Sequence, residues 1–100
     1  MPAPTAATVS AVVLNWDCAA MVERCVASVL AQSAPPDELV VVDNGSRDGS
    51  ADAVQARFPQ VRLLRLGRNT GYAGGMNAGI AATTGDLVLL LNLDVELEPD

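Results

Sequence analysis

The sequence predicts an α/β domain, a Rossmann-like parallel sheet with flanking helices, and three observations lead there. Short apolar runs rich in Val and Leu recur four times, at Val9–Leu14, Leu39–Val42, Val61–Leu66 and Leu87–Leu91. Segments of helical spacing or small-residue composition separate them. Polar side chains collect just downstream of every run. Runs of this length, bounded by turn signals, read as buried strands. Strands alternating with helices build a parallel sheet through right-handed crossovers, with helices on both faces.

Each element follows in order. VSAVVL is strand one, after MPAPTAAT, which has neither a basic residue nor a long apolar run. Met1–Thr8 therefore does not read as a secretory signal and is expected as a disordered lead-in. Val22, Cys25, Val26, Val29 and Leu30 fall at i, i+3, i+4, i+7 and i+8, one face of a helix. Asp17 is its expected N-cap, and Pro35-Pro36 ends the connection after it. LVVV is strand two. DNGSRDGS follows as a turn, with Asp48 or Ser50 expected to cap a second helix over Ala51–Arg57. Val54 and Phe58 face inward there, and Pro59 stops it. Val61–Leu66 is strand three. GRNTGYAGGMNAG leads into a small-residue helix expected near Gly75–Thr84, Gly85-Asp86 turns the chain, and Leu87–Leu91 is strand four.

Composition narrows the function. One hundred residues make at most one small domain. Aromatics are only 3%, so the core must be Ala, Val and Leu. Net charge is −6 with neither Lys nor His, so no nucleic-acid partner is expected, because phosphate-backbone affinity comes from clustered cations. Arg62, Arg65 and Arg68 are close enough to form a local positive spot. Cys18 and Cys25, without His or a CxxC, do not suggest zinc, and both are expected as reduced thiols of an intracellular protein. The longest apolar run is far below the roughly 20 residues of a membrane span.

In such sheets, ligands bind outside the carboxyl ends of the strands. Asn15, Asp43, Arg68 with Asn69, and Asn92 with Asp94 stand at four such ends. Asn44 to Ser46 are explained by turn chemistry. Asp43 is less so, since a carboxylate there must find a donor such as a pyrimidine N3–H or a ribose hydroxyl. Gly71, Gly74, Gly75 and Gly79 lower helix propensity. Either backbone approaches a ribose or phosphate closely there, or the helix packs tightly on the sheet. Asn69 and Asn77 flank them, as ligand contacts or loop supports. The first turn, NWDCAAM, has no Gly and the GxGxxG spacing is absent, which disfavours a dinucleotide cofactor. It also lacks the basic, Gly-rich loop that a sugar nucleotidyltransferase would want. On an extended segment, Asn92 and Asp94 point to one side, where they could hold Mg²⁺ or Mn²⁺. Glu96, Glu98 and Asp100 read as a solvated acidic exit.

Five segments carry a family resemblance: VVLNWDCAAMVERCVASVLAQ, ELVVVDNGSRDGS, LGRNTGYAGGMNAGI, TTGDLVLLLN and LDVELEP. Their order and spacing resemble the family 2 glycosyltransferases of GT-A fold. The rhamnosyltransferase-like branch is the most similar, its acidic motif often reading Asn-x-Asp. The resemblance covers Val9 to Pro99 and implies the nucleotide-sugar-binding half of that domain. It implies a UDP- or dTDP-linked sugar donor, Asp43 at the pyrimidine base, and Asn15 and Gly74 around base and ribose. It places Asn92 and Asp94 at a divalent ion on the diphosphate, Mg²⁺ or Mn²⁺. Transfer would go, with inversion, to a carbohydrate or glycolipid acceptor, in the cytoplasm or at the cytoplasmic face of a membrane. Asp17 stands where the family commonly has Asn, and Met76 where it often has Asn in GGNN. The family's catalytic base lies in a C-terminal half, expected beyond residue 100, so the chain reads as a fragment without its base. The competing reading is a non-catalytic nucleotide-binding or interaction module that self-associates through an exposed sheet edge.

Overall fold

The computed structural model describes residues 7–94. The elements are β1 (Val9–Asn15), α1 (Ala19–Leu30), β2 (Glu38–Asp43), α2 (Ser50–Arg57), β3 (Arg62–Arg65), α3 (Gly71–Ala82) and β4 (Leu87–Leu91). The strands form one parallel sheet in the order β3-β2-β1-β4. β1 and β2 are central and covered on both faces, which is why they read as continuous apolar runs without alternation.

The pleat divides their side chains. Ala11, Val13, Leu39 and Val41 face α1 and α2, meeting Val22, Cys25, Val26, Val29, Val54 and Phe58. Val12, Val40 and Val42 face α3 and meet Met76. Met76 is thus a core residue, which accounts for an apolar side chain where the related pattern has Asn. α3 approaches the sheet closely because Gly75 and Gly79 stand one turn apart on its inner face. A Cβ at Gly75 would lie 2.5 Å from Leu14 Cδ1, and one at Gly79 would lie 2.5 Å from Val12 Cγ1. For these two glycines, tight helix–sheet packing is the explanation.

Four expectations shift. α3 begins at Gly71, not Gly75, because tertiary hydrogen bonds described below fix its first turn. β3 is shorter than Val61–Leu66. Asp17 does not cap α1; Cys18 is the cap residue without a side-chain bond, and Ala19 N donates to Asp48 Oδ2 at 3.3 Å. Thr8 belongs to the fold: Leu87 N donates to its carbonyl at 3.0 Å, and its own N–H donates to Asp86 Oδ2 at 3.0 Å. The rest of the lead-in, residues 1–6, lies outside the described residues, as do Glu96, Glu98 and Asp100. Both cysteines are free thiols. No helix among the described residues is long and apolar enough to cross a membrane.

The amino end of the sheet is tied by Glu38. Its carboxylate accepts from Ser10 Oγ at 2.8 Å, Arg62 Nη1 at 2.9 Å and Thr84 N at 2.9 Å, linking β1, β3 and the α3–β4 turn. The Thr84 amide foremost, then Arg62 and Ser10, hold its pKa at about 2, against an ordinary 4.5. Arg65 pairs with Asp52 at 2.7 Å. Two of the three clustered arginines are therefore paired, Arg62 with Glu38 at the amino end of the sheet and Arg65 with Asp52 at the start of α2, and the expected positive spot reduces to Arg68.

Because the folded pKa of Glu38 is depressed, its contribution is complete above the ordinary value and is lost as pH falls toward 2. The urea midpoint of the wild type should drop between about pH 5 and about pH 2.5. Glu38→Gln should start lower at the higher pH and lose less across the interval. Parallel pH profiles for the two proteins would remove Glu38 from this role.

Candidate functional site

The polar side chains at the strand ends are held by an interlocked set of loops. Asn15 is fully buried at the end of β1. Its two N–H groups serve three acceptors: Asp43 Oδ1 at 3.0 Å, Ser46 Oγ at 3.2 Å and Ser50 Oγ at 2.8 Å. Asn15 Oδ1 is buried without a partner among the described residues. An orphaned acceptor of this kind costs about 1–3 kcal/mol, and such groups mark strained or functional positions. Asp43, only 4% exposed, also accepts from Ser46 N at 3.0 Å, which closes the DNGS turn. Asp48 accepts from Ser50 N at 2.9 Å, and the Ser50 hydroxyl, then the Ser50 amide, lower its pKa.

The β1–α1 and β2–α2 loops brace each other. Asp17 N donates to Ser46 Oγ at 2.9 Å, and Arg47 N donates to Asp17 Oδ1 at 2.7 Å. The β3–α3 loop is fixed by Asn44, which is 2% exposed. Its Nδ2 donates to Asn69 Oδ1 at 3.2 Å and Gly71 O at 3.1 Å; its Oδ1 accepts from Thr70 N and Thr70 Oγ1, both at 2.9 Å. Four bonds fill the capacity of one carboxamide. They set the start of α3, which local propensity did not reveal. Gly45 brings the two loops into backbone contact: at φ +84°, a Cβ there would stand 2.6 Å from Arg68 C.

Two cavities open side by side above these loops. One, of about 360 Å³, is walled by Trp16, Asp17, Gly45, Arg47, Gly67, Arg68 and Asn69. The other, of about 240 Å³, is walled by Leu14, Trp16, Tyr72, Leu91, Asn92 and Leu93. Trp16, 52% exposed, stands between them. The first lies over the ends of β3, β2 and β1. The second lies over β1 and β4, where the strand order reverses; such switch points are where open α/β sheets take ligands.

Asn15 and Asp43 are buried at the ends of β1 and β2 and line neither cavity, whereas Asn69 forms part of the wall of the first. Gly74 and Asn77 are exposed on α3. A Cβ at Gly74 would meet only the Thr70 side chain, at 3.1 Å, so sheet packing does not demand glycine there. Asn92 and Asp94 are both exposed beyond β4. The segment is not extended as expected: the strand ends at Leu91, and Leu93 and Asp94 form a turn. Tyr72 Oη donates to Asn92 Oδ1 at 3.4 Å, and Cys25 Sγ donates to Asn92 O at 3.8 Å. Burial first, and Asp94 second, raise the Cys25 pKa, so the thiol stays protonated behind this turn. Among the described residues no three of His, Cys, Asp and Glu gather as a metal cluster. Sequence reasoning missed Trp16, Asp17, Arg47 and Tyr72 as cavity residues. The one signal was a lone tryptophan placed in a loop directly after a buried strand.

Gly45→Ala should destabilise the protein by at least about 2 kcal/mol, through positive φ and through contact with a backbone that has no rotamer to move. Urea unfolding would measure this, and a loss under about 0.5 kcal/mol would mean the loops are not in contact.

Comparison with known proteins places these features in context. The model of the family described as Glycosyl transferase family 2 matches residues 10–100. The succinoglycan biosynthesis protein ExoO of Rhizobium meliloti is 40% identical over 93 residues, 92% of this chain and 27% of that protein. The N-acetylglucosaminyl-diphospho-decaprenol L-rhamnosyltransferase of Mycobacterium tuberculosis is 35% identical over 88 residues, 77% of this chain and 29% of that protein. The chain thus spans under a third of the length of these relatives. A mannosyltransferase of Pyrobaculum calidifontis, solved with GDP-Man and Mn²⁺, superposes with a TM-score of 0.74 at 26% identity, covering 94% of this chain and 31% of that one. The structure of S. aureus TarS shares the fold, with a TM-score of 0.76 at 23% identity over 87% of this chain and 16% of that one.

Proposed function

Since the chain belongs to glycosyltransferase family 2, we propose that it binds a nucleoside-diphosphate sugar, UDP- or dTDP-linked, for inverting transfer to an acceptor hydroxyl. The acceptor would be a carbohydrate or glycolipid, at the cytoplasmic face of a membrane. The observation that carries this reading is the row of polar groups along the carboxyl edge of the sheet. It runs from Arg68, Arg47 and Asp17 in one cavity, past Trp16, to Asn92 in the next, with Asp94 beside Arg24 and Leu93 beyond it. That row suits an elongated ligand with a polar ring at one end and a diphosphate toward the other. The mannosyltransferase solved with GDP-Man and Mn²⁺ supports the nucleoside-diphosphate sugar and the divalent ion of this reading.

In this proposal, Asn69 borders the base and Gly74 and Asn77 line the approach to the ribose. Asn15 and Asp43 form the floor beneath, where Asp43 matches the family's base-contacting position. Asn92 and Asp94 would hold Mg²⁺ or Mn²⁺. They fit such an ion: one carboxylate and one amide oxygen, both solvent-facing, are what a hard cation takes from protein when phosphates and water complete its shell. When bound, the ion supplies charge stabilisation for a departing diphosphate. The chain's own contribution is binding and orientation, and none of its described residues is assigned as the base.

Calorimetric titration with UDP and dTDP in Mn²⁺ should give binding that EDTA abolishes and that Asp94→Ala weakens at least about tenfold. Asp94 is exposed, so the variant should keep the wild-type unfolding curve. Binding indifferent to EDTA and to Asp94→Ala would discard the metal role. Absence of nucleotide binding by the folded chain would discard the donor site.

One observation favours the second reading, an interaction module. The edge strand β4 leaves Leu87, Val88, Leu89 and Leu90 between 38% and 58% exposed. A flat apolar edge is prone to strand pairing, and Lys on it opposes pairing. Under this reading, sedimentation should show association rising with concentration, and Leu90→Lys should shift it to higher concentration. A wild type that stays monomeric at high concentration would exclude it.

A further inference from the structure

Resting on the nucleotide-sugar reading, we propose that Tyr72 is a positioning residue for the ion-binding motif beyond β4. Its hydroxyl holds the Asn92 carboxamide with Oδ1 turned toward the cavity that both residues line. Asn92 follows the last residue of β4 and is exposed, so the strand ladder does not fix its side chain. Two contacts reach it from opposite layers. Cys25 Sγ, on α1, donates to its backbone carbonyl at 3.8 Å, and Tyr72 Oη, on α3, donates to its Oδ1 at 3.4 Å. Tyr72 itself projects from a fixed point. The preceding residue, Gly71, is held at both backbone groups: its N–H donates to Asn69 Oδ1 at 2.8 Å, and its carbonyl accepts from Asn44 Nδ2 at 3.1 Å. The bonds that seat the β3–α3 loop thus also set where the phenol stands. Tyr72 is 60% exposed, so core packing does not account for it, and it shares the wall of the 240 Å³ cavity with Trp16 and Asn92.

A carboxamide needs such a partner where a carboxylate does not. A carboxylate presents an oxygen whichever way it turns, whereas a carboxamide presents an oxygen on one side and only N–H donors on the other. A hard cation takes the oxygen. An unrestrained Asn92 would spend much of its time with the wrong atom forward, and an ion would then have to immobilise the side chain on binding. The Tyr72 hydroxyl removes that ambiguity in advance. A carbonyl oxygen has two lone pairs, so one accepts the hydroxyl and the other stays open. Partners one step removed from an ion orient the groups that hold it in this way. Asp94, the second residue of the motif, has two equivalent oxygens and does not require one.

Tyr72→Phe removes only the hydroxyl and, at an exposed position, should keep the wild-type unfolding curve. Without metal or nucleotide, the ¹H–¹⁵N signals of the Asn92 side-chain amide, identified by their loss in Asn92→Ala, should shift in this variant. Calorimetric titration of Mn²⁺ at fixed UDP or dTDP gives the functional arm. Half-saturation should need about 3- to 10-fold more Mn²⁺ in Tyr72→Phe than in the wild type, as loss of one neutral hydrogen bond commonly yields. Nucleotide affinity at saturating Mn²⁺ should stay within about twofold, because mass action restores the bound ion. In an Asn92→Ala background the same substitution should change half-saturation by less than about 1.5-fold, since the group it positions is gone. In Asn92→Asp its effect should also shrink, because either oxygen then serves. Asn92 amide signals that do not move, or a rise in half-saturation that persists undiminished with Asn92→Ala, overturns the positioning role. A folded wild type that binds neither nucleotide in Mn²⁺ overturns the donor-site reading, and the role toward the ion with it, whatever the spectrum shows.

Discussion

Two buried carboxamides, Asn15 and Asn44, hold the carboxyl end of the sheet together. Neither lies on an apolar contact surface, yet each is almost wholly removed from water. Asn15 joins β1 to the β2–α2 loop, and Asn44 joins that loop to the start of α3. A buried polar group stabilises only when its bonds are made. The consequence is geometric: three loops that would otherwise move separately become one surface. Gly45 completes it, because the close approach of its backbone to Arg68 leaves no space for a side chain. Ligand groups set on such a surface are positioned by the same bonds that fold it.

This also explains what was legible in the sequence. The strands and the inner faces of α1 and α2 were readable, because apolar periodicity is a local property of the chain. Val22, Cys25, Val26 and Val29 needed no knowledge of their partners to be assigned inward. The first turn of α3 was not readable. Its glycines argue against a helix, and what overrides them is a set of bonds from Asn44, some 25 residues upstream. Asp17 failed for the same reason. Locally it is a good cap, but the Arg47 amide, 30 residues away, claims its carboxylate. The ends of the strands were readable as a site because topology alone places them there. The bonding state of each side chain was not, and that separates buried Asp43 from exposed Asp17.

Charge is distributed with similar economy. The chain is acidic overall, at −6, and two of its arginines are spent on Glu38 and Asp52. Arg47 and Arg68 remain on one cavity, at the β3 side of the site, while Asp94 stands at the β4 side. Trp16 separates the two ends. Each end therefore carries both signs, Asp17 with Arg47 and Arg68 at one and Asp94 with Arg24 at the other.

This bears on how a metal and a diphosphate would share the site in the proposed reading. A diphosphate brought to the β4 end would meet the Asp94 carboxylate, whose repulsion a divalent ion between them would remove. Dependence on a divalent ion is therefore a statement about orientation as well as cofactor use. It requires the phosphates to lie toward β4 and leaves the base over the loops that follow β1, β2 and β3, which the bonds of Asn15 and Asn44 hold in place.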